Sequence, residues 1–164
     1  MDTTKHMYLI AEDDADTQAL VERAFEQLGL AISRHFTSDG QETIDYLVGH
    51  GQYRDRDEFP LPCLVLLDFN MPRADGFEVL DWVRQSEFKD LVIVMFSGTS
   101  RPQDVKEAYR RGVNSFVEKP VSFHELVQTL MTIHHYWFGC SRLPICGNEV
   151  PLAKRESRYK TVTA

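Results

Sequence analysis

Long hydrophobic runs are missing from this chain. None of its apolar stretches approaches the roughly 20 residues that a membrane span needs. The opening Met1-Asp2-Thr3-Thr4-Lys5-His6 is polar and has neither the apolar core nor the small-residue cleavage site of a secretory signal. The expected compartment is therefore the cytoplasm, with no membrane partner. Cysteine is scarce: Cys63, Cys140 and Cys146 form an odd set without a C-x-x-C pair. That argues against a disulfide framework or a zinc site and for reduced thiols. Basic charge is short as well, 18 Lys and Arg against 25 Asp and Glu, a net charge of −7. General affinity for a nucleic-acid backbone is excluded on that balance. Five of the basic residues (Arg142, Lys154, Arg155, Arg158, Lys160) lie in 139–164 beside only Glu149 and Glu156, so residues 1–138 carry the acidity. No internal sequence repeat is visible. What remains is 164 residues, 43% hydrophobic and 26% charged, the balance of one ordinary globular domain.

The apolar residues fall into short blocks. Residues 7–11, 63–67 and 91–96 are continuously apolar and read as strands covered on both faces. Residues 31–36 read as a weaker edge strand, and Ser115-Phe116-Val117-Glu118 as a short fifth one. Between them lie helical spacings. Leu20, Val21, Ala24, Phe25 and Leu28 close at Gly29, and Ile44, Leu47 and Val48 fade at Gly49. Phe77, Leu80 and Val83 follow, then Val105, Ala108 and Tyr109 up to Gly112. The last set is Phe123, Leu126, Val127, Leu130, Met131 and Trp137. Ser38 with Gln41 and Ser122 with Glu125 are spaced as capping boxes. Residues 50–62 form a long charged connection bearing Pro60 and Pro62. Five strand–helix units in a row imply an α/β fold, a parallel sheet with helices on both faces. Residues 1–138 form this unit, and 139–164 read as an irregular extension, mobile in its distal part.

In such sheets ligands bind beyond the carboxyl ends of the strands. The strand ends here are Glu12-Asp13-Asp14, Asp68, Ser97-Gly98-Thr99 and Lys119-Pro120. Each has an ordinary explanation: Asp14 or Asp16 caps the first helix, and Lys119 is a solvated lysine. Four coincident strand ends are not explained that way. Crowded carboxylates repel and cannot all ionise cheaply. Mg²⁺ relieves that, since it takes oxygen ligands from one or two carboxylates plus phosphate. Asp68 beside a metal and Lys119 then describes a nucleophile for phosphoryl transfer.

The chain resembles the receiver domain of two-component response regulators. The matching segments are Ala11-Glu12-Asp13-Asp14, Leu66-Leu67-Asp68-Phe69-Asn70-Met71-Pro72 with Asp75-Gly76, Ser97-Gly98-Thr99 and Phe116-Val117-Glu118-Lys119-Pro120. The resemblance implies a flavodoxin-like, doubly wound sheet of order 2-1-3-4-5 with five helices. It implies that Asp68 accepts phosphate from a sensor histidine kinase. Asp13, Asp68 and the backbone carbonyl of Asn70 would bind Mg²⁺, and Glu12 would act through water. Lys119 would pair with the phosphoryl group and Ser97 would swing towards it. Phe116 falls on the aromatic switch position, where many receivers carry tyrosine; lacking a hydroxyl, it would switch by packing alone and leakily.

No effector domain is expected in the 26 residues after 138, so the output would be protein contact. Gly112-Val113-Asn114-Ser115-Phe116, His135-Tyr136-Trp137, the proline-bearing extension and segment 50–60 resemble the single-domain regulators partnered with bacterial phytochrome-type histidine kinases. The expected partners are that kinase, a downstream protein target or phosphotransfer protein, and a second copy docked through the fourth helix, fifth strand and fifth helix. The protein would be a signalling phosphoacceptor rather than an enzyme, with weak self-phosphorylation and autodephosphorylation. Two other classes compete. A haloacid-dehalogenase-like phosphatase needs a second acid two residues after the nucleophile, where Asn70 stands. A pseudo-receiver scaffold would not need the full acidic set, Ser97 and Lys119. His124, His134 and His135 read as ordinary helix histidines, and residues 154–160 as a solvated tail.

Overall fold

The computed structural model describes residues 6–30 and 32–144. Its strands are β1 (Met7–Ala11), β2 (Ser33–Thr37), β3 (Leu64–Leu67), β4 (Val92–Ser97) and β5 (Ser115–Glu118). They form one parallel sheet in the order β2-β1-β3-β4-β5. Every residue of β1, β3 and β4 is buried, as continuous apolar strands in the middle of a covered parallel sheet must be. β2 and β5 are the edges, which explains their polar, half-buried sequences.

The helices are α1 (Ala15–Leu28), α2 (Gly40–Val48), α3 (Gly76–Gln85), α4 (Pro102–Arg110) and α5 (Phe123–His134). Side chains alternate along each strand, so two apolar cores form. Leu9, Val65, Ile93 and Met95 pack with Leu47, Val79, Leu80 and Ala108 on the face covered by α2, α3 and α4. Tyr8, Ile10, Leu64, Leu66 and Val94 pack with Val21, Phe25, Leu126 and Leu130 on the face covered by α1 and α5. Among the described residues, no helix is long and apolar enough to cross a membrane.

The ends of the elements obey local chemistry. Asp14 caps α1 by accepting the Thr17 amide, which settles its role over Asp16, and Gly29 closes α1 in the left-handed region at φ 60°. The expected Ser38–Gln41 box is displaced by one residue. Asp39 is the cap, accepting from the Glu42 amide, while Glu42 accepts the Ser38 N–H at 2.7 Å. A carboxylate one residue on reaches the third amide better placed than the serine. At α5 the Glu125 amide donates to Ser122 Oγ at 3.2 Å, as the spacing predicts.

Other differences have physical causes. In α2 the buried side chains are Thr43, Tyr46 and Leu47 rather than Ile44. Residues 50–62 are not a bare loop. A 3₁₀ turn (Gly51–Arg54) buries Tyr53, and Arg56 donates to the carbonyls of Tyr46 and Leu47, closing the end of α2. The chain beyond α5 continues as a π-helix (His135–Cys140), and Phe138 and Leu143 pack against both cores. Helical backbone therefore runs past residue 138, because Phe138 finds an aromatic niche against His6 and Tyr8. Cys140 is free and exposed, as expected, but Cys63 is buried and disulfide-bonded, which corrects the reduced-thiol reading for that residue. An odd count without a short motif carries no information on distant pairing. Cys146, the basic residues 154–160 and the distal extension lie outside the described residues.

Candidate functional site

The strand order reverses direction at β1, which has β2 on one side and β3 on the other. The crevice at such a switch point lies beyond the carboxyl ends of β1 and β3. Pairing of Ala11 with Leu67, extended by the Asp68 amide donating to the Ala11 carbonyl at 3.0 Å, sets the first residues past both strands side by side. Those residues are Glu12, Asp13 and Asp68. One carboxylate oxygen from each lies within 4.8 Å of the others.

Glu12 is 3% exposed and Asp68 7%, while Asp13 faces solvent. Lys119 enters from β5, whose register places Glu118 opposite Ser97 and whose next amide, Lys119 N–H, donates to the Ser97 carbonyl at 2.8 Å. The Lys119 ammonium pairs with Glu12 Oε2 and lies 3.3 Å from Asp68 Oδ1. Burial raises the Asp68 carboxyl above the ordinary carboxylate range, with Lys119 and the Phe69 N–H opposing. Burial raises Glu12 likewise, with Lys119 again opposing. Two buried carboxylates and a third at the rim face a single ammonium. That surplus of oxygen and negative charge fits a hard divalent cation.

The sequence candidates divide accordingly. Glu12, Asp13, Asp68 and Lys119 meet in one cluster. Ser97 is fully buried at the end of β4, and its Oγ accepts the Thr99 N–H at 3.3 Å. Asn70 is exposed in the turn after β3. Phe116 is half-buried on β5, opposite Met95, with its ring against the α2–α4 core.

Three contributors escape a reading by strand ends. The Phe69 N–H donates to Asp68 Oδ1 at 2.8 Å, and the Asp14 N–H to Glu12 Oε1 at 3.1 Å. Backbone amides carry no side-chain signal. The third is Gly76: a Cβ there would lie 2.6 Å from the Asp68 carbonyl oxygen and 2.8 Å from Met95 Cε. Its signal was the Asp75-Gly76 pair. Asp75 and Glu78 form a full capping box at the start of α3, which presses that helix end against Asp68.

The family model of the response regulator receiver domain matches residues 8–131. Among curated proteins, the chain is 37% identical over 138 residues to the probable methanogenesis regulatory protein FilR2 of Methanothrix harundinacea, covering 83% of this chain and 86% of FilR2. Among solved structures it is similar to response regulator RPA3017 in red light signaling of R. palustris. The TM-score is 0.81 at 33% identity, with 85% of this chain and 98% of that one covered. It is also similar to the phosphorylated cyanobacterial phytochrome response regulator RcpA, with a TM-score of 0.79, 26% identity, and 86% and 99% covered. A crevice at the switch point that gathers three carboxylates and a lysine, on a fold matched over almost the whole described chain, therefore has one source: this chain belongs to the response regulator receiver domain family and is homologous to the phytochrome response regulators.

Proposed function

We propose that Asp68 is the phosphoacceptor of a single-domain response regulator and that a sensor histidine kinase is its donor. The observation that carries the reading is the Asp68 carboxylate: buried at the end of a central strand, 3.3 Å from the one ammonium of the cluster, and level with Glu12 and Asp13. A carboxylate oxygen of Asp68 attacks the phosphorus of a phosphohistidine. The P–O bond forms as the P–N bond breaks, and the imidazole leaves with the electron pair. Lys119 balances charge on the phosphoryl oxygens, and Ser97 turns its hydroxyl from Thr99 towards them. Asp13, Asp68 and the carbonyl of Asn70 would hold Mg²⁺, with Glu12 acting through water. When bound there, Mg²⁺ supplies positive charge to the transferring group. The burial of Asp68 and the Lys119 ammonium beside it support this reading.

The kinase is proposed to be of phytochrome type. The red-light and phytochrome regulators among the similar structures support that partner. The output is a change in protein contacts on α4, β5 and α5, read by a downstream target or phosphotransfer protein and by a second copy. Residues 1–138 act as the receiver unit and 139–164 as an extension that supports the dimer. A phosphatase of the haloacid-dehalogenase kind is not favoured, since no acid stands two residues after Asp68.

The metal part is tested with a small phosphodonor such as acetyl phosphate, with and without Mg²⁺. Wild type is expected to gain phosphate only with Mg²⁺, and Asp13→Asn to lose most of that gain. Mg²⁺ at about ten times Kd should also stabilise the wild type by about 1–2 kcal/mol, and Asp13→Asn should be more stable without Mg²⁺ and unresponsive to it. An undiminished melting response in Asp13→Asn contradicts its role as a ligand.

A further inference from the structure

Helix α4 is held to the body in an unusual way. Its only buried residue is Ala108, whereas α5 buries Leu126, Val127, Leu130, Ile133 and His134. Little apolar area fixes its position, so its polar contacts decide where it sits. On the α3 side, Arg111 just past its end pairs with Asp81 and lies 4.7 Å over the Phe77 ring. On the β5 side, one hydrogen bond among the described residues joins the helix to the strand backbone: the Phe116 N–H donates to the Tyr109 hydroxyl at 3.2 Å.

That amide is special in the sheet. Lys119 N–H points across to the Ser97 carbonyl of β4. Amides alternate sides along a strand, so the one at 116, three steps earlier, faces the open edge. An edge amide would otherwise be left to water or to another chain. The tyrosine that occupies it is 51% exposed and sits on the helix whose one buried residue is Ala108.

We propose that Tyr109 is a positioning residue of the switch. Its hydroxyl, placed on α4, does what the hydroxyl-free ring of Phe116 cannot, and ties the backbone of the switch residue to the helix beside it. When Phe116 moves with its ring, the amide moves, and Tyr109 carries α4 with it. The strand's message thus reaches a helix surface through a phenol–amide bond. This rests on the reading of Phe116 as the switch.

The test uses the full chain and the Tyr109→Phe variant, which keeps the ring and loses the oxygen. Amide hydrogen exchange and amide chemical shifts are followed with and without acetyl phosphate and Mg²⁺, and intact mass reports phosphorylation. In the unphosphorylated protein, loss of one hydrogen bond should speed exchange at Phe116 by about five-fold. On phosphorylation, amides of Val105 to Arg110 should shift in wild type and stay still in Tyr109→Phe, at equal phosphate incorporation. A merely structural contact would change the first readout and leave the second intact, and that result overturns the proposal. So does unchanged exchange at Phe116. Absence of phosphate on wild type would instead overturn the phosphoacceptor reading on which the proposal rests.

Discussion

Asp68 and Glu12 invert the usual relation between carboxylates and pH. A surface carboxylate that gains a partner on folding has its pKa lowered and stabilises the fold above that pKa. Here burial outweighs Lys119, and both carboxyls are raised. The native state then binds their protons more tightly than the unfolded chain does. Their protonated forms favour the fold, and stability falls as pH rises from the unfolded carboxylate value, about 4, through the raised folded values. Removing one charge should remove part of that loss. In chelator, Asp68→Asn is expected to melt higher than wild type near neutrality, with the gap closing as pH approaches about 4. Thermal melts across pH measure this; a gap that is constant with pH contradicts it. Lys119 matters in the opposite sense. Lys119→Ala leaves two buried carboxylates without their ammonium, and phosphorylation should slow by on the order of 10²-fold. A phosphorylation time course at fixed Mg²⁺ checks it, and an unchanged rate would remove Lys119 from the site.

The elements differ in how openly their sequences declare them. β1, β3 and β4 are legible because a fully covered parallel strand has no polar positions to confuse the pattern. The site follows from them, since each charged cluster simply begins where an apolar run stops. What is not legible depends on distant partners. The Ser38–Gln41 spacing and the Asp39–Glu42 spacing are equally good on paper, and only the backbone geometry at Asp39 selects the latter. Segment 50–62 reads as polar, yet Tyr53 donates to Glu42 at 2.6 Å and packs edge-on to Phe59. The π-helix after α5 has no sequence period of its own; Phe138 acquires its place from His6 and Tyr8 on the other end of the chain. Gly76→Ala would drive a methyl into the Asp68 carbonyl and Met95. It should destabilise by about 1–3 kcal/mol and slow phosphorylation at once, because the same backbone holds the carboxylate. Denaturant melts paired with phosphorylation rates test this, and a loss of stability with an unchanged rate would separate α3 from the site.

At the level of the molecule, the carboxylate cluster sits at one end of the sheet, and the proposed readout lies on its side surfaces. Tyr136, half of its surface exposed on the π-helix, and Met131 on α5 are large apolar side chains left in solvent. The proposed second copy docks through α4, β5 and α5. Because Phe138 and Leu143 pack on both cores, a truncation that keeps their contacts begins after Pro144 rather than after residue 138. Deleting 145–164 should weaken dimerisation while leaving phosphorylation as in the full chain. Sedimentation with and without phosphodonor reads the first, and a monomer under every condition contradicts the dimer. Whether Asp68 takes up phosphate is read by intact mass spectrometry. Wild type and Asp68→Asn are incubated with acetyl phosphate and Mg²⁺. One phosphate is expected on the wild type and none on Asp68→Asn; equal phosphate on both would place the acceptor elsewhere.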